Sequence, residues 1–265
     1  MKFDENHWAL VLGGSSGFGL ATAQKLARHG MNVAVVHRDR RGAMAAIEPE
    51  LERIRQTGVR FLAMNVDALS SEGRAATLDA LRERMGPNGR VRLLLHSIAY
   101  GNLKPLVAAA PDDARLEEED FARTVHAMGT SLVTWTQDVF DRRLFADDAR
   151  VLGMTSEGNE VAWRGYAAVA AAKVALESVS RAIAVELAPY GIRSNIVQAG
   201  VTDTPALRLI PGSEKMKADA QARNPFGRLT TPADVADVIC LLCTDEARWI
   251  NGALLRVDGG EHVAG

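Results

Sequence analysis

The chain has 265 residues, 47% of them hydrophobic, 24% charged and 5% aromatic, enough apolar material for a sizeable core and too much for a disordered chain. Lysine and arginine total 31 against 33 acids, leaving a formal charge of -2 and no broad electrostatic reason to bind nucleic acid or an anionic membrane. No run of roughly 18 apolar residues exists to span a bilayer. The segment Met1–His7 has acids and no apolar stretch, so no secretory signal is expected. Cys240 and Cys243 are too few for a disulfide framework. These features predict a soluble, cytoplasmic protein.

In chain order, short β-type runs at Trp8–Leu12, Asn32–His37, Val59–Met64, Val91–His96, Arg150–Thr155, Ile192–Val197 and Ala253–Val257 alternate with helical patterns. The helices are predicted at Gly19–His29, Gly42–Gln56, Ser71–Met85, Glu118–Phe145, Trp163–Ala188 and Pro232–Cys243, with Gly30 and Gly191 as stop signals. Several strands are almost continuously apolar, as strands covered on both faces must be. The alternation predicts an α/β fold with a seven-stranded, parallel, doubly wound sheet in one domain over residues 1–265. Ligands of such sheets bind beyond the carboxyl ends of the strands. Residues 205–226, of mixed polarity with three prolines and one glycine, are expected to form a helical lid there.

After the first strand comes Leu12-Gly13-Gly14-Ser15-Ser16-Gly17-Phe18-Gly19, opening an apolar helix. Glycines at 13, 17 and 19 allow a tight turn and close approach of backbone to a pyrophosphate, which would face the positive end of the helix. The Gly-x3-Gly-x-Gly spacing resembles the short-chain dehydrogenase/reductase family, and the resemblance runs from about Trp8 to Gly260. It implies a single-domain Rossmann fold that binds NAD or NADP, with Gly13, Ser15, Ser16, Gly17, Phe18 and Gly19 at the phosphates. Leu12 replaces the family's threonine. At the tip of strand two, His37 and Arg38 favour the 2′-phosphate of NADPH, whereas Asp39 leaves NADH open. Asn65 and Val66 resemble the adenine-flanking pair.

Leu95-His96-Ser97-Ile98-Ala99-Tyr100 resembles the enoyl-acyl-carrier-protein reductase branch of that family. The resemblance places Ser97, Ile98 and Ala99 by the nicotinamide ribose and Tyr100 by the substrate. His96 reads as a hydrogen-bonded structural group. Further on, Tyr166 and Lys173 stand seven apart, on one helix face and roughly 10 Å from each other if both are helical. Most family members place the tyrosine four before the lysine, where this chain has Val169. The longer spacing again matches enoyl reductases. It implies Tyr166 as the hydrogen-bond donor to the substrate oxygen, Lys173 as the ribose-holding cation that also acidifies the phenol, and Ser156 as a polarising hydroxyl. Met128 falls near the family's helix asparagine. In Ala199-Gly200-Val201-Thr202-Asp203-Thr204, the backbone at Gly200 and Thr202 is implied to hold the carboxamide and Thr204 a phosphate.

The sequence therefore predicts an NADPH-dependent reductase of trans-2-enoyl thioesters, with Leu207 lining the substrate site. The thioester is expected on acyl carrier protein or coenzyme A. Arg208, Lys215, Lys217, Arg223 and Arg228 in or beside the lid are either a docking face for an acidic carrier or a solvated basic face. A keto or alcohol reductase such as a 3-oxoacyl thioester reductase is the alternative, and a non-catalytic dinucleotide-binding protein a third. No metal site is expected, since Cys240 and Cys243 read as core thiols. The family resemblance implies a homotetramer.

Overall fold

The first strand, β1 (His7–Leu12), is buried from Trp8 onward, and its side chains alternate between two cores. Ala9 and Val11 face one core, while Trp8, Leu10 and Leu12 face the other. The same alternation holds in β2 (Asn32–His37), where Val33 and Val35 oppose Ala34 and Val36. A strand buried on both faces needs helices on both sides of the sheet. The computed structural model, which describes residues 2–110 and 113–264, supplies them.

The other strands are β3 (Phe61–Asn65), β4 (Arg90–His96), β5 (Phe145–Ser156), β6 (Ile192–Ala199) and β7 (Leu254–Val257). They form one parallel sheet in the order β3-β2-β1-β4-β5-β6-β7. Helices α1 (Gly17–Arg28), α2 (Met44–Arg55) and α8 (Pro232–Leu242) cover one face. On the other lie α3 (Ser71–Met85), α5 (Ser131–Asp141) and α6 (Ala167–Glu186). This is the Rossmann architecture, and the strand order reverses between β1 and β4, where a ligand crevice opens. Among the described residues no helix is long and apolar enough to cross a membrane.

Two predicted helices are corrected. The pattern over Glu118–Phe145 resolves into α4 (Glu118–Val125), a π-helical turn at His126–Thr130, and α5, while Phe145 opens β5. Helix α5 stops because Arg143 takes a left-handed φ of 55°. The amides of Arg143 and Leu144 then reach back to the carbonyls of Phe140 and Val139, the Schellman arrangement usually built on glycine. The helix expected from Trp163 starts only at Ala167, because Gly165 at φ 77° breaks the chain direction. Tyr166 is therefore the residue preceding α6, outside its regular turns. Strand β5 is longer than predicted at both ends, and β3 starts two residues later than Val59.

At the amino ends of the central strands, Arg92 and Arg150 are almost fully buried. Their guanidinium groups donate to the carbonyls of Leu242 (2.8 Å), Cys243 (2.9 and 3.1 Å) and Thr244 (3.1 Å), which end α8, and both pair with Asp148. Two cations thus neutralise a helix carboxyl terminus that side chains seldom satisfy so fully. Replacing Arg150 by Met should lower stability by about 2 kcal/mol, because the buried acceptors at Leu242 and Thr244 lose their donor. A lower urea midpoint at constant slope, followed by circular dichroism, checks this.

Candidate functional site

The crevice is shaped by glycines that leave no room for a side chain. A Cβ at Gly13 would lie 2.4 Å from the Ser97 carbonyl oxygen, and one at Gly19 would lie 2.2 Å from the Gly13 oxygen. The amides of Gly13 and Gly14 bond to the Val36 carbonyl at 2.8 and 3.2 Å, and the Ser97 amide bonds to the Leu12 carbonyl at 2.9 Å. The turn after β1 is thereby pinned between the ends of β2 and β4. Ser16 precedes α1 with no side-chain cap, so the first-turn amides, including Phe18, keep their donor capacity for an anion. Ser15 belongs to the same turn. Across the mouth, the Thr204 methyl group would lie 3.6 Å from a Cβ at Gly17. These residues fit a dinucleotide pyrophosphate: uncapped amides, a positive helix end and a floor without side chains.

At the β2 tip the structure separates residues that the sequence grouped. His37 is buried, and its Nδ1 lies 2.9 Å from the Asp39 carboxylate. It therefore faces inward and helps to place Asp39 rather than reaching a ribose. Asn65 holds the Asp39 backbone from both sides at 3.0 Å, and the Val66 amide bonds to the His37 carbonyl at 2.9 Å. Arg38 is exposed, 3.0 Å from the Asp67 carboxylate, with its guanidinium 6.0 Å from the centre of the Tyr100 ring. The cation is presented to solvent at the tip, while the nearer carboxylate is already engaged.

His96 ends β4 fully buried, and its Nε2 lies 2.8 Å from the Ser131 hydroxyl, which bonds to the Ala127 carbonyl at 3.1 Å. Burial pushes its pKa down to about 3, so the ring is neutral and structural. It ties the strand end to the π-helical turn. In that turn Gly129 allows close approach to α6, since a Cβ there would lie 2.8 Å from the Ala172 carbonyl. The turn also carries Met128 into a small apolar cluster with Ala127, Tyr166, Val169 and Ala172. Local π geometry often re-aims side chains at functional sites.

Tyr166 and Lys173 both converge on the end of β5. The Tyr166 hydroxyl is 3.5 Å from the Ser156 hydroxyl, and the Lys173 ammonium donates to the Met154 carbonyl at 2.7 Å. Those anchors are two residues apart, about 7 Å along a strand. Burial raises the phenol's pKa, partly offset by Ser156, and the expected acidifying influence of Lys173 is not among the causes. Tyr166 is thus held as a neutral hydrogen-bond donor. Its ring is wedged edge-on against Trp163, with centroids 5.5 Å apart, and a Cβ at Gly158 would come within 2.4 Å of it. Glu177, one turn past Lys173, accepts from Thr155 and Asn159 at 2.7 Å each and so fixes the strand end that bears Ser156.

Sequence reasoning missed Trp163 and Gly158, which set the phenol's orientation. It also missed Leu69, Leu103, Val125 and Ile210, which pack against the apolar cluster that contains Tyr166. The only available signal was the presence of glycine and tryptophan close to Tyr166. In the lid region, a short 3-10 turn at Leu207–Leu209 precedes α7 (Ser213–Arg223). The partly exposed Leu207 bonds through its amide to the Thr204 hydroxyl at 3.2 Å, while Ile210 reaches the apolar cluster. The five cations in and beside the lid all face carboxylates: Arg208 pairs with Asp203, Lys215 with Asp219, and Lys217 with Glu214 and Asp203. Arg223 pairs with Glu157 and Glu261, and Arg228 with Asp234. Cys240 and Cys243 are buried, and burial pushes the Cys243 thiol up to about 12. No grouping of side chains suited to a metal ion occurs among the described residues.

Burial lowers the Lys173 pKa to about 8, with Glu177 opposing the shift. Below that pH the folded protein carries an unfavourably buried charge. Between pH 8 and the ordinary lysine range of about 10.5 the unfolded chain binds the proton that the folded chain has released, so stability rises with pH across this window. Lys173→Met should therefore raise the melting temperature at pH 7, without added nucleotide, and remove the lysine's share of that rise. Thermal scans of both proteins from pH 7 to 10 check it.

Residues 13–262 match the family described as Enoyl-(Acyl carrier protein) reductase. The chain is 30% identical over 259 residues to cis-4-hydroxycyclohexanecarboxylate dehydrogenase of Sinomonas cyclohexanicum, covering 95% of each protein. It is 29% identical to 1-cyclohexenylcarbonyl-CoA reductase of Streptomyces collinus, covering 97% of this chain and 87% of that one. The crystal structure of the enoyl-[acyl-carrier-protein] reductase (NADH) of Aquifex aeolicus superposes with a TM-score of 0.83 at 26% identity, covering 98% and 97% of the two chains. With the glycine turn, the β1–β4 crevice and the tyrosine and lysine at the end of β5, these similarities establish that the chain belongs to the short-chain dehydrogenase/reductase family of oxidoreductases.

Proposed function

We propose that the protein reduces the trans-2 double bond of an enoyl thioester, using NADPH. The observation that carries this reading is the position of the phenol. Tyr166 stands ahead of α6, seven residues before Lys173, while position 169 is a buried valine that cannot take part in proton transfer. In carbonyl reduction, hydride arrives at the carbon bonded to the oxygen that needs a proton. In conjugate reduction, hydride arrives at the β-carbon and charge gathers on the thioester oxygen, two bonds further along than in carbonyl reduction. A donor displaced from the usual position suits the second demand.

A bound dihydronicotinamide supplies the hydride. Tyr166 supplies a hydrogen bond to the thioester oxygen, which is worth most when that oxygen bears enolate charge. Its raised pKa keeps it a donor at neutral pH, and Trp163 and Gly158 hold the ring in place. Lys173 holds the ribose hydroxyls, and Ser156 orients the phenol. Ser97, Ile98 and Ala99 flank the ribose, the Gly200–Thr202 backbone takes the carboxamide, and Thr204 takes a phosphate. Tyr100, Leu207 and Ile210 border the acyl chain beneath the 205–226 lid. Because every lid cation is paired, the lid offers no unmatched positive patch to an acidic carrier, which favours coenzyme A over acyl carrier protein as thioester carrier. The Streptomyces relative's name, which denotes a conjugated CoA thioester, agrees. The remaining parts of the proposal are a cytoplasmic location and a homotetramer built on the α4–α5 and α6 faces, where Val174 and Val185 are exposed.

The second reading is carbonyl reduction. The 3.5 Å Ser156–Tyr166 contact would let both hydroxyls polarise one carbonyl, and the Sinomonas relative's name denotes a dehydrogenase acting on a ring hydroxyl. Following NADPH absorbance with crotonyl-CoA and acetoacetyl-CoA in parallel separates the two. Oxidation with crotonyl-CoA is expected, and oxidation with acetoacetyl-CoA alone would establish the second reading. Tyr166→Phe should lower kcat at least 100-fold with little change in NADPH affinity, since it removes a donor used chiefly in the transition state. At the other end of the crevice, Arg38→Ser should raise the KM for NADPH about tenfold or more and leave that for NADH nearly unchanged, by removing the cation offered to a 2′-phosphate. Steady-state kinetics with both nucleotides check this.

A further inference from the structure

Beyond β7 the chain turns at Gly259 and Gly260 and carries Glu261 back inside, where its side chain is only 3% exposed. Its carboxylate accepts from the Val201 amide, at 3.2 Å to one oxygen and 3.4 Å to the other. The carboxylate reaches the loop at Gly200, where a Cβ would lie 2.9 Å from Glu261 and 2.5 Å from the Thr230 hydroxyl. The loop is held from two more sides, by the Gly200 amide on the Val257 carbonyl at 3.2 Å and by the Thr202 hydroxyl on the Gly200 carbonyl at 2.9 Å. Among the described residues the cation paired with Glu261 is Arg223, at 3.1 Å, which ends the lid helix α7 and is shared with Glu157, the neighbour of Ser156, at 3.0 Å.

Two buried or nearly buried carboxylates dividing one arginine form a poor device for stability, because desolvation is incompletely repaid. Such an arrangement is better explained by what it orients. We propose that Glu261 is a positioning residue for the nicotinamide half of the dinucleotide. By fixing the Val201 amide it sets the direction of the Gly200–Thr202 backbone. Through Arg223 and Glu157 it couples that backbone to the lid helix and to the strand end that bears Ser156. This rests on the reading above that the Gly200–Thr202 backbone receives the carboxamide.

The test uses two ligands that share the adenosine half: NADPH, and 2′,5′-ADP, which lacks nicotinamide. Dissociation constants are measured by calorimetry for the wild type, Glu261→Ala and Glu261→Gln. Glu261→Ala is expected to weaken NADPH roughly tenfold, the equivalent of one hydrogen bond to a charged group, and to leave 2′,5′-ADP unchanged. Glu261→Gln keeps an acceptor for the Val201 amide and should restore NADPH affinity to within about twofold of the wild type. If circular dichroism shows the Ala variant unfolded, Glu261→Asp, which withdraws the carboxylate by one methylene, should give the same selective loss. Unchanged NADPH affinity, or equal weakening of both ligands, would overturn the proposal. A wild-type protein that binds 2′,5′-ADP but gains nothing from the nicotinamide half would instead refute the reading of the Gly200–Thr202 backbone on which the proposal rests.

Discussion

An ammonium group cannot be taken out of water without a partner, and the site is organised around one that is. Lys173 is buried to 7% exposure with its hydrogen bond directed at the Met154 carbonyl. That bond fixes α6 against the end of β5 and so sets where the residue ahead of α6 must stand. Met154, Ser156 and the Tyr166 phenol follow as a short series along one strand end. Glu177 holds the other side of the same strand end through Thr155 and Asn159. The protein sacrifices stability at neutral pH to hold this charge, a common price of a preorganised site.

The arrangement makes chemical sense only because the phenol is kept from ionising. An ionised tyrosine accepts a proton and can no longer donate a hydrogen bond. Here desolvation dominates, and the O–H is retained. In the proposed reduction Lys173 and Tyr166 have separate duties: the amine deals with a ligand's hydroxyls, and the phenol with a developing negative charge elsewhere. The π-helical turn contributes by moving Met128 into the apolar surroundings of the ring, which keeps water from competing for it.

The fold was largely readable because its signals are local. Continuous apolar strands, the glycine turn and the stops at Gly30 and Gly191 each express a backbone requirement through a residue type that meets it. Where the same geometry is met by an unusual residue, the signal vanishes. Arg143 performs the turn that Gly30 and Gly191 perform elsewhere, so the end of α5 and the start of β5 were misplaced. Of the candidate site, Tyr166, Lys173 and Ser156 are legible as a group, which the structure gathers at the end of β5, but Gly165 turns the chain and leaves Tyr166 ahead of α6 instead of within it. The inward rotation of His37 depends on Asp39, and the linkage of Glu261 to Val201 spans 60 residues. Neither leaves a trace in local spacing.

The glycine at 101 carries a consequence for how this active site relates to its more common cousins. A Cβ there would stand 2.8 Å from a methyl group of Val169, so backbone and valine are already in contact with no slack between them. An aromatic ring at 169, the place most of the family reserves for its proton donor, would have to push the segment after β4 outward and with it the wall of the crevice. A larger side chain at 169 thus meets the backbone at Gly101, so enlarging that position calls for a matching adjustment of the segment after β4.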